Sequence, residues 1–158
     1  MKIILLSLSL IFTSCGKDLL GDDFIYDPES RRKFDKTNPE LESYVTYVQN
    51  KVQDYRRQSI NLKSIPVNFS NFDGNTIGVC RSYGSGVKEI LIDERWWSFA
   101  TECDKYVLIL HEFGHCFWNR PHTNETKDNG YPSSIMNSSH IGGGTYCRNE
   151  SYYLQELF

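Results

Sequence analysis

His111, Glu112 and His115 fall in the spacing H-E-x-x-H, and those three residue types four positions apart are where chemistry is first legible. On a helix, residues i and i+4 lie on one face, close enough for two imidazoles to share a metal ion. Imidazole nitrogen suits zinc, and one further protein ligand would leave a fourth position for water. Glu112 projects about 100° further round the helix than His111. Its carboxylate would therefore reach a water on the metal without ligating. That arrangement carries metal-assisted hydrolysis, the metal acidifying the water and the carboxylate taking its proton. The alternative is a pair of surface histidines on an amphipathic helix. Val107, Leu108, Ile109, Leu110 and Phe113 surround them, however, so the helix is expected to be buried, and buried histidines need partners.

A third ligand must come from beyond His115, and the candidates are His122, Glu125, His140 and Glu150. His122 lies past Asn119 and Pro121; proline stops the helix, and asparagine tolerates the left-handed conformation that would reverse the chain. Glu150 stands in an expected terminal helix, Asn149 to Leu157, where a second-helix glutamate ligand would be found. Cys116 adjoins His115 but points about 100° away from it, which favours a disulfide over a metal bond.

These residues resemble the metzincin zinc peptidases, whose pattern H-E-x-x-H-x-x-G-x-x-H is followed by a methionine turn. His111, Glu112, His115 and His122 carry the match, with Ser134-Ile135-Met136 as the turn. Trp118 occupies the glycine position and the third histidine comes one residue late. A left-handed turn at Asn119 accounts for both departures. The resemblance covers roughly the last third of the chain. It implies one catalytic Zn2+ on His111, His115 and His122, Met136 behind it, Glu112 as general base, and a peptide or protein substrate.

The elements that must position this site read as a small α+β domain. Asn38-Pro39-Glu40 is a helix start, and Leu41, Tyr44, Val45, Val48, Val52 and Tyr55 follow at helical spacing. Ile65 to Ser70, Thr76 to Tyr83 and Val87 to Asp93 are strand-like runs separated by glycine-containing turns, predicting a hairpin or meander in a twisted, mostly antiparallel or mixed sheet. Val87 to Asp93 is either plain sheet or an edge for an extended substrate. Trp96, Trp97 and Phe99 read as core or cleft wall. Thr101 and Asp104 form a capping box for the histidine helix. Asn129-Gly130 and Gly142-Gly143-Gly144 read as loops, and His140 as an exposed loop histidine or a substrate contact.

The amino-terminal segment has a different character. Lys2 and the apolar run Ile3 to Phe12 have signal-peptide form, and Phe12-Thr13-Ser14-Cys15-Gly16 resembles the lipobox of bacterial lipoproteins. The resemblance implies a signal peptide over 1–14, lipid on Cys15, a lipidated tether over 15–37 and a peptidase-like domain over 38–158. The chain would then sit on a membrane surface of the bacterial cell envelope, held by more than one acyl chain. In an exported domain, Cys80, Cys103, Cys116 and Cys147 are expected to form one or two disulfides, with three pairings open. A net charge of −3 gives no case for nucleic acid. The domain is expected to be a monomer. The runner-up function is a non-catalytic envelope lipoprotein with a structural zinc, closed by Cys116 or His140 as fourth ligand.

Overall fold

Among the described residues the first element is a strand that composition hides. A computed structural model describes residues 24–27 and 31–158. Within it, β1 (Phe24–Asp27) lies in the stretch read from sequence as a tether over 15–37, yet it pairs in parallel with residues Cys80 to Tyr83. The lipobox, Cys15 and the apolar run lie outside the described residues. No helix among those described is long and apolar enough to cross a membrane.

Asn38 starts the first helix as expected, its Oδ1 accepting from Glu40 N–H at 2.9 Å. Pro39–Leu41 form one 3-10 turn, and α1 (Glu42–Arg56) continues with Val45, Val48 and Val52 buried. β2 (Val67–Ser70), β3 (Gly78–Tyr83) and β4 (Lys88–Asp93) match the three strand-like runs. The sheet order is β1-β3-β4-β2. β3 and β4 form the hairpin, turning at Gly86 with a φ of 75°. The meander does not form, because β2 pairs in parallel with β4, Val67 opposite Ile90. β4 is consequently an interior strand with both sides taken, so Val87 to Asp93 is not an edge for substrate; the edges belong to β1 and β2.

Short helix α2 (Glu94–Phe99) follows, capped by Asp93. Trp97 is buried in the core, Trp96 is partly buried against it, and Phe99 is 74% exposed, so only the first two serve core or cleft. The long helix α3 (Glu102–Cys116) opens with the expected capping box, Thr101 and Asp104 each bonding the other's backbone N–H. It packs on β3, β4 and α1 and is buried continuously from Val107 to Cys116. A helix so enclosed can carry functional groups at fixed positions. The glycine run is not all loop: α4 (Gly143–Arg148) begins inside it and docks on the first turn of α3, where a Cβ on Gly143 would overlap the Asp104 backbone. Asp104 Oδ1 accepts from Gly143 N–H. α5 (Glu150–Leu157) closes the chain.

All four cysteines of the domain are paired. Cys80–Cys116 joins β3 to the last residue of α3, and Cys103–Cys147 joins its first turn to α4, with Cα separations of 5.4 and 5.9 Å. Both separations lie within the usual disulfide range.

Candidate metal centre

α3 ends in a way that brings a third histidine back to the first two. Asn119 has a φ of 52°, the left-handed turn expected of it, and Arg120 N–H returns to Gly114 O at 2.9 Å. Lys88 of β4 secures the turn, donating to Cys116 O at 2.8 Å and to Asn119 Oδ1 at 2.6 Å. The segment after His122 is fixed by Thr123 N–H on Met136 O at 2.8 Å.

The Nε2 atoms of His111, His115 and His122 converge. They stand 3.0 Å apart for His111 and His115, 3.1 Å for His115 and His122, and 3.2 Å for His111 and His122. Among the described residues these three are the group of histidine, cysteine and acidic side chains close enough to hold a metal. Glu125 is exposed, and Glu150 is bound to Lys51 at 3.0 Å and to Tyr47 on α1. Of the four candidates for third position, His122 is the one the structure brings to the pair.

The far sides of two rings decide their tautomers. His111 Nδ1 meets Ile135 O at 2.6 Å, and His115 Nδ1 meets Arg120 O at 2.7 Å. A carbonyl oxygen only accepts, so each Nδ1 carries the proton and donates it, leaving the Nε2 of each ring as a lone pair. In the neutral rings those two Nε2 atoms face each other and His122 Nε2 as acceptors, the form in which imidazole binds a metal ion. The spacing also suits zinc, since nitrogens at about 2.0–2.1 Å from a tetrahedral ion lie roughly 3.3 Å apart. The donor set therefore fits a metal ion.

Met136 is fully buried, with its sulfur against α3 where Gly114 has no Cβ. A side chain at 114 would overlap Met136 Sδ. Glu112 is also buried, at 1% exposure, and its carboxylate packs against Gly78 of β3. His111 and Glu112 open onto a cavity of about 510 Å³, whose other walls include Gly78, Leu108, Trp96 and His140. His140 is thus a cavity residue. Its Nε2 bonds Asp104 Oδ1 at 3.2 Å and its ring meets the Trp96 ring edge-on at 5.4 Å. Burial pulls its pKa below the ordinary histidine value, and the Asp104 carboxylate opposes that pull.

Sequence reasoning missed the two backbone carbonyls that orient the rings, for which no residue type is a signal. Gly78 and Gly114 did leave a trace: an isolated glycine inside a strand or helix marks a close approach. The chain matches no family model, no curated protein and no solved structure. The class assigned to it rests on its own geometry: a mixed α+β domain whose central helix presents a three-histidine site.

Proposed function

We propose that this protein is a zinc-dependent endopeptidase of metzincin-like type, with His111, His115 and His122 as ligands and Glu112 as general base. The observation that carries the reading is the convergence of three Nε2 atoms at the helix that bears a buried glutamate, with His111 and Glu112 lining a cavity of about 510 Å³. Zinc bound there would lower the pKa of a coordinated water towards about 7 and polarise a scissile carbonyl. Glu112 takes the proton of the attacking water and returns it to the leaving amine as the C–N bond breaks. Leu108 and Trp96 give the cavity apolar walls, and the carbonyl bonds of His111 and His115 hold their rings with Nε2 turned towards the shared centre. A structural zinc is the weaker reading. Of its two candidates for a fourth ligand, Cys116 is held in a disulfide and His140 is bonded to Asp104.

Attachment to a cell-envelope membrane through lipid on Cys15 belongs to the same proposal and is supported by the sequence of the segment Phe12 to Gly16. Fatty-acid labelling that persists in a Cys15→Ala variant would remove it. The activity is tested by zinc analysis and hydrolysis of a general protein substrate, with and without chelator. Glu112→Ala is expected to keep zinc and lose turnover, and His115→Ala to lose both. A well-folded Glu112→Ala protein with full activity would sink the assignment.

A further inference from the structure

The two carbonyls that orient His111 and His115 lie in different loops. Arg120 O follows the end of α3, and Ile135 O sits in the turn Ser134-Ile135-Met136. The Arg120 turn is tied to α3 through Gly114 O and to β4 through Lys88, and the two loops are joined by Thr123 N–H on Met136 O; a further set of side-chain bonds bears on both carbonyls. Both loops lead to one side chain in the last turn of α5. Glu156 Oε1 accepts from Arg120 Nη2, and Glu156 Oε2 accepts from Ser134 Oγ–H at 2.6 Å. Ser134 Oγ in turn accepts Met136 N–H at 2.9 Å, closing the turn around Ile135 O. The Arg120 guanidinium is doubly fixed, since its Nη1 donates to the backbone oxygens of Glu156 and Leu157 at 3.0 and 3.2 Å.

Each oxygen of this carboxylate therefore serves a different loop, and each loop serves a different histidine. Ser134 is 1% exposed and the Arg120 and Glu156 side chains are about three-quarters buried, so water is a poor substitute for these bonds. We propose that Glu156 is a positioning residue for the metal centre, setting both carbonyls that orient the imidazoles of His111 and His115. It acts on metal affinity without touching the metal. The inference rests on the proposed metal site at the three histidines and is independent of what that site catalyses.

The comparison is between the two ends of α5. Zinc affinity is measured by chelator competition at fixed pH in the full-length protein and in Glu156→Ala, Glu156→Gln and Glu150→Ala. Thermal stability of the metal-free forms and the visible spectrum of the Co2+ derivative are recorded alongside. Removing partners that orient metal ligands typically costs about 10–100-fold in affinity. Glu156→Ala is expected to fall in that range with an altered Co2+ spectrum, and the isosteric Glu156→Gln to fall between it and the parent. Glu150→Ala, which breaks the contacts of α5 with Lys51 and Tyr47, is expected to lose stability and keep the parent's affinity and spectrum. Parent-like zinc affinity in Glu156→Ala overturns the inference; where that variant does not fold, parent-like affinity in Glu156→Gln overturns it. An equal loss of affinity in Glu150→Ala also overturns it, since general loosening of α5 would then be the cause. A parent protein that binds zinc and hydrolyses nothing defeats the peptidase reading alone, whereas one that binds no zinc defeats both.

Discussion

Gly78 of β3 and Glu112 of α3 are packed so closely that a Cβ on Gly78 would lie 2.6 Å from Glu112 Oε1 and 3.1 Å from Leu108 Cδ1. The backbone of the sheet thus sets where the carboxylate stands. In Gly78→Ala the carboxylate, as the end of a side chain, is the part that must move. Catalytic groups displaced by about 1 Å can lose about 10²-fold in rate. The variant is expected to bind zinc like the parent while its kcat/KM falls on that order. Parent-like turnover would show that the position of Glu112 is immaterial.

Asn119 tests the return of the third histidine. At a φ of 52° a side chain branched at Cβ is strained, at about 1–2 kcal/mol. Asn119→Val is therefore expected to melt lower than the parent and to bind zinc more weakly through a misplaced His122. Asn119→Gly adopts the same backbone freely and is expected to keep its affinity despite losing the Lys88 bond. Melting curves and chelator competition on the two variants make the comparison; equal affinity in both would detach His122 from the site.

Metal removal should be visible as stability. A ligand that binds only the folded state adds about 2.7 kcal/mol at a free concentration 100-fold above its Kd. Thermal melts with zinc are expected to lie above those with chelator. The difference is expected to vanish in His115→Ala. A zinc-independent melting temperature in the parent would contradict a site at the three histidines.

Glu150 makes acid stability testable. Burial pushes its carboxyl pKa up, but hydrogen bonds from Tyr47 and Lys51, the Lys51 charge and a bond from Tyr146 outweigh that and hold it below the ordinary 4.5. A carboxyl depressed in the folded state stabilises fully above its unfolded pKa, and the contribution drains away as pH falls through the folded value. Denaturant unfolding is expected to show stability declining as pH drops below about 4.5, with a shallower decline in Glu150→Gln. Identical acid limbs in the two proteins would remove Glu150 from this role.

Much of the site was legible because local spacing determines local geometry. His111 and His115 share a helix face by period alone, and Asn119 before Pro121 announced the turn that returns His122. Thr101 and Asp104 gave the helix its start. The sheet was legible as strands but not as topology: nothing in Ile65 to Ser70 says that it will pair in parallel with β4. β1 was hidden for the opposite reason. Phe24-Ile25-Tyr26 sits among aspartates and a proline, so composition reads as tether, and only its partner on β3 makes it a strand. Glu156 was illegible too, since a glutamate in a terminal helix looks like solvent-facing charge until Arg120 and Ser134 are seen beside it.

The two disulfides meet α3 at opposite ends, Cys103 in its first turn and Cys116 at its last residue, bridging sequence separations of 44 and 36. A helix bolted at both ends cannot fray, and fraying is the ordinary route by which a buried segment is exposed piecemeal. His111 and His115 can then leave their partners only when the domain opens as a whole or the bridges are reduced. Metal exchange should accordingly be slow in oxidised protein and quicken on reduction. The segment that carries the histidines would be among the last stretches of the chain open to an added protease.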